Sequence, residues 1–139
     1  MTHLTTLTDT HPDFYPTLGP YLANRDVHHE IGGPIWDEPT KTWIIARTGT
    51  TITGFIGINQ GNRRTTVESL WIAPNAPADT PTHLINAAVT NFGHDRDLHT
   101  VVRNSLADTH TKAGFATLKT TRNFTTMVRP ATIREAGRD

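Results

Sequence analysis

Glu68 is a candidate general base. It lies in a strand-like run in which Leu70 and Ile72 follow at intervals of two residues, and side chains of a strand alternate between the two faces of a sheet. A carboxylate on an otherwise apolar face has a raised pKa, which suits a base that acts directly or through water. The alternative is a Glu in an edge strand that pairs with Arg63 or Arg64.

The stretch from Trp71 to Val89, WIAPNAPADTPTHLINAAV, passes from a strand through a proline-rich loop into a helix without any glycine. The first turn of this helix has free backbone amides at residues 82–84, and the helix dipole favours an anion there. The alternative is that Asp79 or Thr80 simply caps the helix. Both interpretations remain open at this point.

The cluster Asp26, His28, His29 and Glu30 contains metal-ligand residue types. It lies in a segment, residues 24–41, that we interpret as a long loop, and long loops are more often functional than filler. The cluster lacks a recognised ligand spacing, and two adjacent histidines cannot easily both bind one metal ion. We therefore predict no metal site.

The elements that position these residues follow from hydrophobic spacing and from Gly and Pro punctuation. The first half predicts a short or broken helix at 13–24, then an antiparallel meander of strands at 42–48, 51–60 and 63–73. The second half predicts a helix at 81–92, a strand at 98–103, a short helix at 105–112 and a final strand or hairpin at 115–129. This order predicts an α/β fold with a mixed sheet.

Composition narrows the class of protein. The chain has 139 residues, enough for one domain with its own core. It has no cysteine, which excludes disulfides, a thiol nucleophile and Cys-ligated metal, and fits a reducing cytoplasm. Thirteen basic residues balance thirteen acidic ones, so no global attraction to nucleic acid or membrane is expected. No signal peptide or spanning segment is evident, and we expect a cytoplasmic protein.

Two landmarks resemble the GNAT-type N-acetyltransferase superfamily. Leu70–Pro74 is similar to the strand and proline that precede the acyl-CoA loop in that family. The segment Asn104–Phe115 is similar to its closing segment, with His110 in the place of a Tyr. The resemblance implies a single-domain, mixed and mainly antiparallel sheet flanked by helices, over residues 1–130, followed by a flexible tail at 131–139.

The resemblance also implies an acyl-CoA-dependent N-acyltransferase that transfers an acetyl or similar group to a small-molecule or macromolecular amine. Glu68 is then the base, and His110 is the acid, since imidazole donates a proton near neutral pH more readily than a phenol. His28 or His29 is expected in the wall of the acceptor site. The expected contacts of acetyl-CoA or another acyl-CoA are Leu70, Trp71, Ile72, Ala78, Thr80, Thr82 and Asn104.

The phosphate loop departs from the family pattern. The family has Arg-Gly-x-Gly-x-Gly after the proline, whereas residues 77–82 of this chain read PADTPT. Every glycine is replaced, and Asp79 adds a negative charge where a pyrophosphate is expected. An alternative function is therefore a degenerate GNAT-like binding or inhibitory module without a cofactor.

A narrower resemblance concerns the Mom-like branch of the superfamily, bacteriophage enzymes that modify DNA bases. It involves Glu68–Ile72 and Val101–Phe115, with Asp108 and His110 before the closing turn. It implies a nucleobase acceptor and phosphate contacts from basic side chains. The expected contacts are Arg63, Arg64, Arg103, Lys119, Arg122 and Arg129. Salt-dependent duplex binding distinguishes this function from the other two, and the oligomeric state is left open.

Overall fold

A seven-stranded sheet organises the chain in a computed structural model, which describes residues 2–31, 35, 37 and 39–133. The strands are β1 (Thr2–Leu7), β2 (Lys41–Thr48), β3 (Thr51–Gln60), β4 (Thr65–Ile72), β5 (Leu98–Arg103), β6 (Ala116–Thr120) and β7 (Phe124–Arg129). Their order in the sheet is β1-β2-β3-β4-β5-β7-β6. Every neighbouring pair is antiparallel except β4 and β5, which are parallel. This confirms the predicted fold class.

Helices cover both faces of the sheet. They are α1 (Phe14–Leu22), α2 (Arg25–Ile31), α3 (Thr80–Phe92) and α4 (Ala107–Lys112), the last preceded by a 3₁₀ turn at Asn104–Leu106. Alternating residues of β2 feed two cores, because neighbouring side chains of a strand point to opposite faces. Ile44 packs with Leu84 and Ile85 of α3, whereas Trp43 packs with Phe14 of α1.

The segment 25–31, predicted as part of a loop, is helical. The Asn24 side-chain oxygen accepts hydrogen bonds from the backbone amides of Asp26 at 2.8 Å and Val27 at 3.3 Å, which is the geometry of a helix N-cap. Val27 is buried against the α1 core and so gives the helix an apolar anchor. The loop prediction was therefore wrong over these residues, and its Gly32-Gly33-Pro34 stretch lies outside the described residues.

The amino-terminal residues 2–7 form an edge strand that the sequence did not predict. Their side chains are largely exposed, so the stretch lacks the apolar alternation that normally reveals a strand. Threonine suits an extended backbone, and the strand pairs along its length with β2.

The chain after β7 begins with anchored residues. Ala131 is buried, and its amide donates to Asp97 Oδ1 at 2.8 Å. The amides of Thr132 and Ile133 donate to the carbonyls of Gly93 and His94. These contacts hold the first three residues of the predicted tail, and residues 134–139 lie outside the described part of the chain. None of the helices described is long and apolar enough to cross a membrane.

Candidate active site

Strands β4 and β5 pair only at their beginnings and then separate. The parallel register runs from Thr65 opposite Leu98 to Val67 opposite Thr100 and goes no further. Two cavities that share several lining residues follow the gap between the strands. One of about 40 Å³ is lined in part by Glu68 and His110. The gap thus brings together the two candidate proton-transfer residues.

The second cavity, of about 260 Å³, continues along the gap. It is lined by Leu70, Trp71 and Ile72 of β4, by Pro81 of α3, and by Ser105 and Leu106 on the opposite side, together with Glu30 and Arg103. Beyond Val67, the edge of β4 that faces β5 has no strand partner in the described part of the chain. An extended ligand with amide groups can therefore pair with that edge.

A β-bulge at Ser69 changes which face Glu68 occupies. Ser69 has a φ of +58°, and the pairing shifts from Glu68 opposite Gly57 to Trp71 opposite Phe55. The extra residue in β4 reverses the alternation. Leu70 and Ile72 therefore pack with Val67 on the α3 side, whereas Glu68 lies on the other face. The prediction that Glu68 shares a face with Leu70 and Ile72 was wrong.

Lys41 is the ionic partner of Glu68. Its Nζ lies 3.1 Å from Glu68 Oε1 and donates to Ser69 Oγ at 3.1 Å. Lys41 is 1% exposed, and its ammonium lies 4.2 Å from the centroid of the Trp43 ring. The alternative partners Arg63 and Arg64 are not involved in this pair.

The sequence contained a weak signal for Lys41. Lys41 precedes Trp43 and Ile45 at intervals of two, and all three are buried, which places it on the same face as two core residues. A side chain on Gly57 would overlap Lys41 Cε, so the glycine leaves room for the lysine to cross β3. Neither residue was identified as part of the site from the sequence.

His110 is fully buried and has one unused nitrogen. Its Nδ1 lies 2.8 Å from the Leu106 carbonyl oxygen, and because a carbonyl only accepts, Nδ1 carries the hydrogen. Nε2 is buried and has no hydrogen-bond partner among the described residues. The Phe115 ring packs edge-on at 5.2 Å.

Burial lowers the pKa of His110, and the hydrogen bond to Leu106 opposes that shift only in part. The resting ring is therefore neutral, with a lone pair on Nε2. A ring in this state has no Nε2 proton to donate. An acid role for His110 thus requires that Nε2 first receives a proton.

The last turn of α2 spans the gap. Arg103 of β5 donates from Nη2 to the His29 carbonyl at 2.6 Å and from Nε to the Glu30 carbonyl at 2.7 Å. Trp71 Nε1 of β4 donates to Glu30 Oε2 at 2.6 Å. A cation at the carboxyl end of a helix also suits the helix dipole. Helix α2 therefore ties the two separated strands together.

The two histidines expected in the acceptor wall lie on this helix but differ in environment. His28 Nε2 is 2.6 Å from the Leu22 carbonyl, so this ring links α2 to the end of α1. The His29 side chain is exposed. Glu30, which the sequence singled out only as a member of the cluster with metal-ligand residue types, lines both cavities.

The amino terminus of α3 has few free amides. Pro81 has no N–H, the Thr80 amide donates to the Pro77 carbonyl and the His83 amide donates to the Asp79 carbonyl. Thr82 therefore has the amide that the first turn leaves open, and the expectation of three consecutive free amides at residues 82–84 was wrong. The reason is that the helix begins one residue earlier than predicted.

Asp79 does not cap α3 with its side chain. Its carboxylate instead lies 3.0 Å from His83 Nε2, one turn further along. Ala78 is exposed, and Thr80 is buried with a hydroxyl that lacks a partner in the described part of the chain. The loop is therefore a turn-rich approach to a helix rather than a glycine-lined phosphate nest.

Asn104 lies at the end of β5, but its amide serves another part of the fold. Nδ2 donates to the carbonyls of Thr121 and Arg122, and Oδ1 accepts from Thr125 Oγ1 at 2.7 Å. These bonds hold the β6–β7 hairpin. The structure does not place this side chain among the residues that line the two cavities.

The basic residues expected to contact phosphates are distributed over both ends of β5. Arg63 and Arg64 precede β4 at the end of the sheet where Thr65 pairs with Leu98. Arg122 lies in the β6–β7 turn at the other end of β5. Arg103 is bonded to α2, and Arg129 donates to Ala113 and Pro130 carbonyls. Among the described residues, no three His, Cys, Asp or Glu side chains are grouped to hold a metal ion.

No protein-family model matches the chain, and no curated protein matches it. Several solved structures match the chain. Escherichia coli ElaA matches with a TM-score of 0.65 at 10% identity, over 93% of this chain and 99% of ElaA. Aminoglycoside acetyltransferase AAC(6')-Ib in complex with coenzyme A matches with a TM-score of 0.65 at 17% identity, over 100% of both chains. Campylobacter jejuni N-acetyltransferase PseH in complex with acetyl coenzyme A matches with a TM-score of 0.60 at 11% identity, over 94% of this chain and 99% of PseH. The chain therefore has the fold of the GNAT acetyltransferases.

Proposed function

We propose that this protein is an acyl-CoA-dependent N-acyltransferase that acts on an amine. The observation that carries the proposal is the gap between β4 and β5, where Glu68 and His110 line one cavity. Two structures of the same fold are complexes with coenzyme A or acetyl coenzyme A. Since a fold hosts many functions, the residues of the gap rather than the fold carry the argument.

The place proposed for the cofactor is the larger cavity. The pantetheine arm contains two amide groups, which can pair with the open edge of β4. The Thr82 amide and the dipole of α3 supply one contact and a favourable field for the phosphates. We propose cofactor contacts from Leu70, Trp71, Ile72, Ala78, Thr80 and Thr82. Asn104 is not included, because its amide is used in the β6–β7 hairpin.

The proton transfers are assigned to Glu68 and His110. The bound acyl-CoA supplies an activated acyl thioester. Glu68, held in place by Lys41 at 3.1 Å, accepts a proton from the ammonium form of the acceptor, directly or through water. His110, the family's tyrosine position, delivers a proton to the departing sulfur.

The acceptor is a small amine in this proposal. The last turn of α2 covers the gap through Arg103 and Glu30, and the cavity beside Glu68 has only about 40 Å³. Glu30 and Ile31, which line the cavity beside Glu68, form the wall that the acceptor meets in this proposal, and the exposed His29 side chain lines neither cavity. His28 supports that wall through its bond to the Leu22 carbonyl.

Acetyl-CoA binding by calorimetry tests the proposal. Ser105 lines the larger cavity and is exposed, so Ser105→Trp should fill the gap without disturbing the core. Wild type and Ser105→Ala should bind, and Ser105→Trp should bind at least tenfold more weakly. Equal affinities for the two variants would place the cofactor elsewhere.

Failure of the wild type to bind at millimolar acetyl-CoA would end the acyltransferase proposal. It would favour the cofactor-free binding or inhibitory module, which the glycine-free loop suggested. For the DNA-modifying alternative, the basic residues are divided between the two ends of β5, with Arg63, Arg64 and Arg129 at one end and Arg103 and Arg122 at the other. Salt-dependent binding to duplex DNA would be needed to support this alternative.

A further inference from the structure

His110 combines three features that no other described histidine shares. It is 0% exposed, its Nδ1–H is fixed by the Leu106 carbonyl, and its Nε2 is buried without a partner. A buried polar atom without a hydrogen bond is costly and is usually explained by function. Because Nδ1 is occupied, Nε2 is the only polar atom that the ring can offer to the cavity it lines.

We infer that His110 is a proton shuttle whose Nε2 first accepts the proton of the attacking nitrogen and then delivers it to the departing sulfur. The inference rests on the proposed function and deepens it. It differs from a simple acid, because the resting ring has a lone pair at the place where an acid needs a hydrogen.

The nitrogen of an ammonium substrate loses two protons, so the reaction requires two proton acceptors, and the cavity has two in Glu68 and His110. An ammonium acceptor loses its first proton to Glu68, which passes it to solvent. The resulting amine attacks the thioester carbonyl, the C–N bond forms, and the nitrogen loses its second proton to His110 Nε2. The C–S bond then breaks, and the same proton moves from Nε2 to sulfur, so that His110 ends neutral. The net products are the amide, the free thiol and one proton in solvent.

The surroundings of His110 suit transient protonation. The Leu106 carbonyl accepts from Nδ1–H in both states of the ring and stabilises the imidazolium while it exists. The charged groups that line the same cavity are Glu30, Glu68 and Arg103. The neighbouring Phe115 ring, edge-on at 5.2 Å, helps to exclude water from the resting ring.

Nitrogen-15 NMR of the histidine rings tests the inference without any turnover. The chain has eight histidines, and His110→Gln assigns the His110 signals by their disappearance. The free wild type at pH 7.5 should show hydrogen on Nδ1 and a bare Nε2. Addition of coenzyme A should shift the Nε2 signal part of the way toward its protonated position, because the bound thiol donates an S–H hydrogen bond to the Nε2 lone pair. Desulfo-coenzyme A, which lacks the sulfur, should leave the signal in place.

The outcomes separate the two proposals. A hydrogen on Nε2 in the free protein, or coenzyme A that binds by calorimetry without shifting Nε2 more than the desulfo compound does, overturns the shuttle and leaves the acyltransferase intact. Absence of coenzyme A binding overturns the acyltransferase, and the shuttle with it. A second test compares His110→Tyr with His110→Gln in thiol release. A simple acid role predicts that Tyr restores most of the rate, and the shuttle predicts that both lose at least tenfold.

Discussion

Lys41 reaches Glu68 by crossing the bare backbone of Gly57, so that an ammonium of β2 and a carboxylate of β4 meet 3.1 Å apart over the strand between them. The lysine is buried, and the glutamate side chain is 33% exposed. This arrangement leaves the carboxylate accessible from the gap while its cation is withdrawn from solvent. A structural requirement on β3 is thereby linked to the chemistry at β4.

Replacement of Gly57 by alanine should disturb this pair. The new methyl group would overlap Lys41 Cε, and overpacking of this kind costs about 1–3 kcal/mol of unfolding free energy. Urea denaturation measures the effect. Gly19→Ala is the matched control, because nothing lies within 4 Å of its new methyl group. Equal stability of the two variants would mean that Lys41 does not depend on Gly57.

Glu68→Gln should reduce turnover without reducing cofactor affinity. The amide cannot accept the ammonium proton, and loss of general base catalysis lowers the rate by about 10²–10⁴-fold. Thiol release with the best amine from a panel of small amines gives the rate, and calorimetry gives the acetyl-CoA affinity. A variant with a normal rate would remove Glu68 from the mechanism.

Asp79→Asn should tighten acetyl-CoA binding. It removes a negative charge from the amino terminus of α3 and preserves the size of the side chain, and terminal charges contribute about 0.3–1 kcal/mol, or roughly 2–5-fold. The gain should shrink at high salt. Asp95→Asn, beyond the other end of α3, should leave the affinity unchanged. A weaker complex with Asp79→Asn would show that the phosphates lie elsewhere.

His110 should make the protein less stable in acid. Burial lowers the pKa of His110 in the folded state from the ordinary 6.5. Below pH 6.5 this histidine therefore binds a proton in the unfolded chain but stays neutral in the folded chain. The stabilisation is complete above pH 6.5 and falls toward the lower folded pKa by at most about 1.4 kcal/mol per pH unit. Urea unfolding at pH 7.5 and 5.5 should show a smaller difference for His110→Gln. His99, whose pKa is also lowered by partial burial and by Arg64, requires His99→Gln as the comparison. An unchanged pH dependence in His110→Gln would contradict the neutral buried ring.

Arg103→Met should loosen α2 selectively. The guanidinium holds the carbonyls of His29 and Glu30, and after its loss the Glu30 bond to Trp71 still joins α2 to β4 in the described part of the chain. Hydrogen exchange of amides 25–31 should accelerate, while β2 and β3 keep their protection. Arg122→Met, an exposed residue of the β6–β7 turn, is the control. Unchanged exchange in α2 would show that the helix is held by other contacts.

The sequence predicted the elements that have clear local signals. The hairpin of β2 and β3, the strand β5 and the helix α3 all have apolar periodicity bounded by Gly or Pro. Strand β1 was not predicted, because its side chains are mostly exposed threonines and have no apolar pattern. Helix α2 was not predicted, because its single buried residue, Val27, lies among polar and charged residues.

The site was predicted less well, because its geometry depends on tertiary structure. Glu68 was identified from its residue type and strand position, and His110 from the resemblance of Asn104–Phe115 to the GNAT closing segment, where it stands in the place of a Tyr. The sheet face predicted for Glu68 was wrong, because the bulge at Ser69 occurs without a glycine to mark it. The pairs Lys41–Glu68 and Arg103–His29 join residues 27 and 74 positions apart, and local spacing does not show which partner such a residue meets.

Helix α2 connects the two divergent strands and is, in the proposed function, also the wall of the acceptor site. Replacement of Glu30 by a smaller residue would widen the cavity and release its bond to Trp71 of β4, whereas the bonds from Arg103 go to main-chain carbonyls and would remain. Under the proposed function, selection for bulkier acceptors at Glu30 therefore acts against the tie between α2 and β4. Engineers who wish to broaden the substrate range should first stabilise the sheet elsewhere, and only then open the wall at Glu30.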